Sequence, residues 1–168
     1  KINNLENKDN IICASAGNHA QGFAYICNKM KIKGTIYVPE TTPIQKIERI
    51  KYFSNNYCDL KLHGKNFLEC LEESKNICDQ ENKTYVHPYD DVDTIYGQAT
   101  IAKEIYEDIN PDIIIGCIGG GGLMSGISLY SKIINSKCLL FGAQPESCPT
   151  MLESLKSNKI IENKKIDN

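Results

Sequence analysis

The fold is decided by residues 113–122, which read IIIGCIGGGG. The first half of this stretch is a short apolar run, and because Pro111 and glycines flank it, we interpret it as a fully buried strand of a parallel sheet. Residues 123–134 follow, with apolar side chains at helical spacing and serines and a lysine between them. The glycines therefore connect a buried strand to a helix.

The four glycines, Gly119, Gly120, Gly121 and Gly122 (the tetraglycine turn), are suited to binding an anion. The first amides of a helix have no partner within it, and residues without a Cβ atom let the backbone approach a ligand closely. Amide donors at the positive end of a helix dipole favour a phosphate. A flexible linker is the alternative, although linkers are not usually held between two apolar runs.

A nucleotide-binding loop is a second alternative for the tetraglycine turn. The GxxxxGK[ST] pattern is absent, however, and so is the acidic ribose-binding residue expected about 20 positions further on. The sequence thus predicts a phosphate site at this turn without identifying the ligand.

Composition excludes several classes of function. The chain has 168 residues, enough for one domain or two small ones, and its net charge of −2 gives no reason to expect nucleic acid or a membrane surface as a partner. No apolar stretch approaches the roughly 18 residues that span a bilayer, and residues 1–5 lack the apolar core of a signal peptide. The eight cysteines contain no CxxC pair, so we expect reduced thiols in a cytoplasmic protein.

Strands and helices alternate along the whole chain. We predict strands at residues 11–14, 35–38, 58–62, 84–86, 113–118 and 138–143. We predict helices at residues 23–30, 43–53, 66–79, 92–106, 123–134 and 150–156. Gly34 is expected to end the first helix, and Thr42 is expected to cap the second, with Pro43 in its first position. This pattern predicts an α/β fold with parallel sheets and flanking helices, in which ligands bind beyond the carboxyl ends of the strands.

A second candidate site follows the strand at residues 11–14. Ser15, Ala16, Gly17 and Asn18 (the asparagine turn) offer a hydroxyl, a side-chain amide and backbone N–H groups, which suit a carboxylate or a phenolic oxygen. Helix capping by serine and asparagine is the alternative, and spacing alone favours it. His19 by itself is typical of a partly buried, hydrogen-bonded histidine. Since both turns follow strand ends, we expect them to face one crevice.

Five stretches of the chain together resemble the threonine dehydratases, which are fold-type-II pyridoxal-phosphate enzymes. They are ASAGNHAQG at residues 14–22, VPETTPIQK at 38–46, HPYDD at 87–91, GQAT at 97–100 and IGGGGL at 118–123. The resemblance covers nearly the whole chain. Cysteine synthases and threonine synthases fit worse because their loop lacks the Asn-His-Ala-Gln sequence.

The resemblance implies a tryptophan synthase β-like fold and a role for each turn. Asn18 would hydrogen-bond the 3′-oxygen of pyridoxal 5′-phosphate, and the tetraglycine turn with the Leu123 amide would hold its phosphate. Ser15, Ala16, Gly17 and His19 would form the site for an amino-acid substrate. Residues 1–10 would end a preceding segment, residues 11–88 would form the small domain, and residues 89–168 would form part of the large domain.

The resemblance also implies a reaction, the deamination of L-threonine to 2-oxobutanoate and ammonia in isoleucine biosynthesis or threonine catabolism. Serine racemases similar to this family usually carry a serine at the position of Ala16. An alanine methyl group cannot exchange a proton, so elimination is favoured over racemisation. Serine dehydratase or racemase activity is the alternative. Gln144 stands where a glutamate metal ligand is common, so we expect no metal.

The family lysine that carries the cofactor occurs in a Ser-Phe-Lys-x-Arg-Gly context, which no stretch of this sequence matches. Lys1 and Lys8 lie in polar surroundings and do not replace it. We therefore expect this chain to be an internal part of a longer enzyme, without a catalytic residue of its own and inactive alone. A non-catalytic module that binds a phosphorylated ligand is the alternative. Apolar surface left exposed by an incomplete domain would favour a homo-oligomer, either a dimer or a tetramer.

Overall fold

The computed structural model describes residues 10–161 and shows strands alternating with helices along this range, so the predicted α/β class is confirmed. The strands are β1 (Ile11–Ala14), β2 (Gly34–Val38), β3 (Cys58–Leu62), β4 (Thr84–Tyr85), β5 (Ile113–Cys117) and β6 (Leu139–Ala143). The helices are α1 (Asn18–Met30), α2 (Ile44–Ser54), α3 (Phe67–Gln80), α4 (Val92–Asp108), α5 (Gly122–Ile133) and α6 (Thr150–Ser157). The chain divides into two compact units between Pro88 and Tyr89.

The first unit is built on a parallel sheet with the strand order β3-β2-β1-β4. One face of this sheet packs against α1 and α2 in a cluster that includes Ile11, Ile36 and Ile50. The other face packs against α3 through Ile12 and Cys70. Because helices cover both faces, the apolar residues of β1 and β2 are buried as expected for parallel strands.

The second unit is built on β5 and β6, which pair in parallel in a two-stranded sheet. One face of this sheet packs against α4 and α5 in a cluster around Ala102, Met124 and Ile127. The opposite face exposes a set of large apolar side chains and one thiol, which we call the open face. Its members are Ile113, Ile115, Cys117, Leu139 and Phe141.

The open face corrects one prediction. The run at residues 113–118 was predicted to be a fully buried strand, and it is a parallel strand, but Ile115 is 72% exposed. The physical reason is that the described residues cover only one face of this sheet. Alternate side chains of a strand point to opposite faces, so every second residue of β5 is left exposed.

The residues predicted to end the first helix and to cap the second do not have these roles. Helix α1 ends at Met30, where Lys31 adopts a left-handed conformation with φ of 58° and donates its N–H to helix carbonyls, so Gly34 is free to begin β2. Helix α2 begins at Ile44, and Pro43 occupies the cap position without a side-chain cap. The Thr42 hydroxyl is buried instead of capping, and it has no hydrogen-bond partner within the described part of the chain.

Across residues 10–161, none of the helices combines the length and the apolar character that crossing a bilayer requires.

Candidate functional site

The tetraglycine turn connects β5 to α5, as the sequence predicts. The turn begins at the edge of the sheet, where the Ile118 N–H donates to the Ala143 carbonyl at 2.8 Å. Gly121 takes the helix cap position with φ of 90°, a conformation that costs a residue with a side chain about 1–2 kcal/mol. The backbone conformation therefore favours glycine at this position.

The amides at the start of α5 point beyond the helix. The Ser125 N–H donates to the Gly121 carbonyl at 2.9 Å and makes the first bond of the helical ladder. The amides of Gly122, Leu123 and Met124 precede that bond, so they lie at the positive end of the helix dipole without an intrahelical partner. Three N–H donors without a partner in the helix and no side chain at Gly122 fit a phosphate group.

Tyr89 packs directly against the tetraglycine turn. A Cβ atom added at Gly120 would overlap the Tyr89 ring, and one added at Gly122 would lie 2.9 Å from Tyr89 Cα. On Gly121, a Cβ atom would lie 2.9 Å from Met151 Cε. At Gly120, Gly121 and Gly122 a larger residue would therefore displace its neighbours, whereas a Cβ atom at Gly119 would meet no atom within 4 Å.

Sequence reasoning missed the role of Tyr89, although the HPYDD stretch that contains it was noted. Burial raises the pKa of Tyr89, and the neighbouring Asp90 carboxylate raises this pKa further. The phenol therefore stays neutral through the physiological range. A large aromatic residue shortly before a helix that packs on the glycine-loop helix is the signal that could have identified it.

The asparagine turn connects β1 to α1 in the first unit. The Ser15 N–H donates to the Tyr37 carbonyl at 3.0 Å, and the Ser15 hydroxyl accepts from the Gly17 N–H at 3.1 Å. Gly17 occupies the helix cap position, so capping by a side chain, which spacing alone favours, is absent. The reason is that the glycine at this position has no side chain with which to cap.

Asn18 is the first residue of α1, and its side chain is exposed. The Gln21 N–H donates to the Gly17 carbonyl at 3.3 Å, so the amides of Asn18, His19 and Ala20 precede the helical ladder. A side-chain amide and backbone N–H groups therefore meet at the start of α1. This donor set suits a carboxylate or a phenolic oxygen.

His19 anchors the start of α1 to the neighbouring strand. Its Nε2 atom lies 3.0 Å from the Val86 carbonyl oxygen, just after β4, and must donate there because a carbonyl only accepts. Burial lowers the pKa of His19, the bond to Val86 opposes this shift, and the nearby His87 adds to it. His19 is therefore a partly buried, hydrogen-bonded histidine, which is the interpretation that the sequence alone favoured.

The remaining two candidates have structural contacts. Ala16 is half-buried and packs against the core of the first unit. The Gln144 side-chain oxygen accepts from the Leu152 N–H at 3.2 Å, which ties the end of β6 to α6. Among residues 10–161 there is no group of three or more histidine, cysteine or acidic side chains that could hold a metal ion. The structure therefore groups Ser15, Ala16, Gly17, Asn18 and His19 in the first unit and Gly119, Gly120, Gly121, Gly122 and Leu123 in the second.

A family model described as "Pyridoxal-phosphate dependent enzyme" matches residues 1–168. The chain is 42% identical over 164 residues to the biosynthetic L-threonine dehydratase IlvA of Halalkalibacterium halodurans, covering 96% of this chain and 40% of that protein. It is 35% identical to the protein of the same name from Bacillus subtilis, covering 99% of this chain. The chain therefore spans about 40% of the length of the curated relatives it matches.

Solved structures show the same similarity. The processed form of threonine deaminase isoform 2 from Solanum lycopersicum aligns with a TM-score of 0.88 and 30% identity, covering 99% of this chain and 49% of that one. Maize serine racemase aligns with a TM-score of 0.83 and 28% identity, covering 94% of this chain and 47% of that one. Two kinds of enzyme thus share this backbone.

Proposed function

Since this chain belongs to the family of pyridoxal-phosphate dependent enzymes, we propose that it forms the cofactor-binding and substrate-binding parts of a threonine dehydratase. The reaction is the deamination of L-threonine to 2-oxobutanoate and ammonia. The observation that carries the proposal is the pair of strand-to-helix turns with exposed amide donors, in a chain that is 42% identical to a protein named L-threonine dehydratase. The activity is proposed for the complete protein that contains this chain.

In this proposal the second unit holds the cofactor phosphate. The amides of Gly122 and Leu123 donate to phosphate oxygens, and the dipole of α5 adds about 0.3–2 kcal/mol of attraction for the negative charge. Tyr89 and Met151 pack against the turn, and this packing keeps the shape of the cradle before the cofactor arrives. A preformed site loses less conformational entropy on binding.

The first unit orients the reacting groups. The exposed side-chain amide of Asn18 would hydrogen-bond the 3′-oxygen of the cofactor, and the Ser15 hydroxyl with the free backbone amides at the start of α1 would bind the substrate carboxylate. His19 keeps the start of α1 fixed through its bond to Val86, and its lowered pKa keeps it neutral at pH 7. When bound, pyridoxal phosphate supplies an electron-withdrawing ring that stabilises negative charge at the substrate Cα.

Serine racemase activity is the second candidate, because the maize enzyme aligns with a TM-score of 0.83. Racemisation needs a proton donor on each face of the substrate Cα. Ala16 has a methyl group that can neither give nor take a proton, and it packs against the core of the first unit. This residue favours elimination.

The test is to incubate the complete purified protein with pyridoxal phosphate and L-threonine and to measure 2-oxobutanoate and ammonia. We expect both products in equal amounts, and a slower reaction with L-serine. Formation of D-serine from L-serine would favour the racemase instead. A protein that binds pyridoxal phosphate but releases no oxo acid from either amino acid would contradict both enzymatic proposals.

A second test examines the substrate face through Ala16. The Ala16→Ser variant adds a hydroxyl group at this half-buried position with little change in volume. We expect the variant to keep threonine deamination and to gain measurable exchange of the substrate Cα proton with deuterated solvent. A matched Ala20→Ser variant, at a fully buried position on α1, should not gain this exchange.

A further inference from the structure

Three of the eight cysteines belong to one core cluster of the first unit. Cys13 lies on β1 and Cys58 lies on β3, and both contribute to the sheet face that α1 covers. Cys27 lies on α1 itself and is 0% exposed. The proposed deamination uses none of these thiols, so their proximity needs a separate explanation.

Gly34 makes room for a thiol contact across this face. In the register of the sheet Gly34 lies between Cys58 on β3 and Ile11 on β1. A Cβ atom at Gly34 would lie 2.6 Å from Phe23 Cε1 and 2.9 Å from Cys27 Sγ. The Cys27 sulfur therefore occupies the space above Gly34, next to the Cys58 position of the neighbouring strand. The Cys58 thiol is also the main cause that raises the pKa of Cys27.

The two thiols differ in their access to solvent. Cys58 is half-buried at the first position of β3, which is an edge strand, whereas Cys27 is fully buried beneath α1. The neighbouring Cys58 thiol and burial raise the pKa of Cys27, which keeps its proton in place. A small oxidant entering from solvent therefore meets Cys58 first.

We propose that Cys27 and Cys58 are a redox-active pair that closes a disulfide between α1 and β3 when hydrogen peroxide is the oxidant. The Cys58 sulfur attacks one peroxide oxygen, the O–O bond breaks, and the released hydroxide takes the Cys58 proton to form water. The Cys27 sulfur then attacks the oxidised Cys58 sulfur, the S–O bond breaks, and the leaving hydroxide takes the Cys27 proton to form a second water. One peroxide is reduced while two thiols are oxidised to one disulfide.

The disulfide joins two elements that are distant in sequence. Such a cross-link restricts the unfolded chain, so the oxidised first unit should resist unfolding more than the reduced one. For a chain of this size we expect a rise in Tm of roughly 5–10 °C on oxidation. Dithiothreitol should reverse the rise.

The test is to treat the folded full chain with hydrogen peroxide, block the remaining thiols, and map disulfides by mass spectrometry without reduction. We expect one cross-linked peptide pair that contains Cys27 and Cys58. The Cys58→Ser variant should lose this pair, and its Cys27 should be blocked only after unfolding. The Cys117→Ser variant, which removes an exposed thiol of the second unit, should keep the pair and is the matched control.

Two results would overturn the proposal. One is Cys58 recovered as a sulfenic or sulfinic acid while Cys27 stays a free thiol. The other is a disulfide from Cys58 to Cys13 or to a cysteine outside this cluster. Because Cys58 is half-buried, its serine variant is expected to fold, and a circular dichroism spectrum matching that of the original chain verifies this.

Discussion

The two units share one local pattern but differ in how much of each sheet is covered by helices. In each, an apolar parallel strand leads through a turn into a helix that packs back on the sheet. Ile36, in the middle of β2, is 0% exposed, whereas Ile115, in the middle of β5, is 72% exposed. The comparison teaches that an apolar sequence predicts a strand but does not by itself predict burial. Burial depends on the elements that pack on each face of the sheet, and these can be distant in sequence.

The two turns also differ in what holds them. The asparagine turn is fixed by hydrogen bonds, from Ser15 to Tyr37 and from His19 to Val86. The tetraglycine turn is fixed by packing, because Tyr89 lies against Gly120 and Gly122. A turn held by hydrogen bonds should respond to changes of charge, and a turn held by packing should respond to changes of volume.

The largest expected effect tests the difference in burial. Ile36→Ala removes a fully buried side chain and should lower the free energy of unfolding by about 2–5 kcal/mol. Ile115→Ala truncates the same residue type in a middle strand position, and it should change that free energy by about 0.5 kcal/mol or less while the open face is exposed. Urea unfolding of the two variants of this chain, followed by circular dichroism, measures both values.

The same pair of variants made in the complete protein sharpens the comparison. If another segment or subunit covers the open face there, Ile115→Ala should cost as much as a core truncation. If Ile115→Ala instead causes the same small loss in the free energy of unfolding in both proteins, one face of β5 is exposed to solvent in the complete protein as well.

The next largest effect concerns the packing of the tetraglycine turn. Gly120→Ala would force its Cβ atom into the Tyr89 ring, so we expect a loss of about 1–3 kcal/mol of stability and at least a tenfold weaker affinity for pyridoxal phosphate. Gly97→Ala, on the exposed side of α4 with no atom in the way, is the matched control and should stabilise the chain by up to about 1 kcal/mol. Spectrophotometric titration of the complete protein with the cofactor measures the affinity, and unchanged binding by Gly120→Ala would remove the turn from the proposed site.

Local sequence predicts the parts of this molecule that depend on local physics. The alternation of strands and helices follows from the spacing of apolar residues, and the strand-to-helix position of the glycines follows from their flanks. The exposure of Ile115 was mispredicted because burial depends on what packs against a strand. The role of Lys31 as the cap of α1 was missed because a lysine in the left-handed conformation gives no signal in composition. Tyr89 was missed because its contact is with residues about 30 positions away.

The third prediction concerns self-association through the open face. Phe141 pairs with Ile115 in the sheet register, and each exposes more than half of its surface. We expect this chain to form dimers or larger homo-oligomers, since burying a large apolar side chain contributes about 1.5–3 kcal/mol. Phe141→Lys should weaken the association by roughly tenfold, as measured by light scattering over a concentration series. Tyr52→Lys, at an exposed site of the first unit, is the control, and a chain that stays monomeric throughout would contradict the expectation.

The smallest effect distinguishes the two turns by pH. Burial is the main cause that lowers the pKa of His19 below its ordinary value of 6.5, so the unfolded chain takes up a proton at a pH where the folded chain does not. The contribution of His19 to stability is therefore complete above about pH 6.5 and is lost as pH falls through the lowered pKa. The pKa of Tyr89 is raised above 10, so the packing of the tetraglycine turn is unaffected between pH 5 and pH 7.

Hydrogen exchange at pH 7 and pH 5, corrected for the intrinsic rates, should show weaker protection of α1 and unchanged protection of α5. The difference should disappear in His19→Asn and persist in His63→Asn, an exposed histidine of the same unit. Equal loss of protection in both helices would mean that the two turns are held in the same way after all.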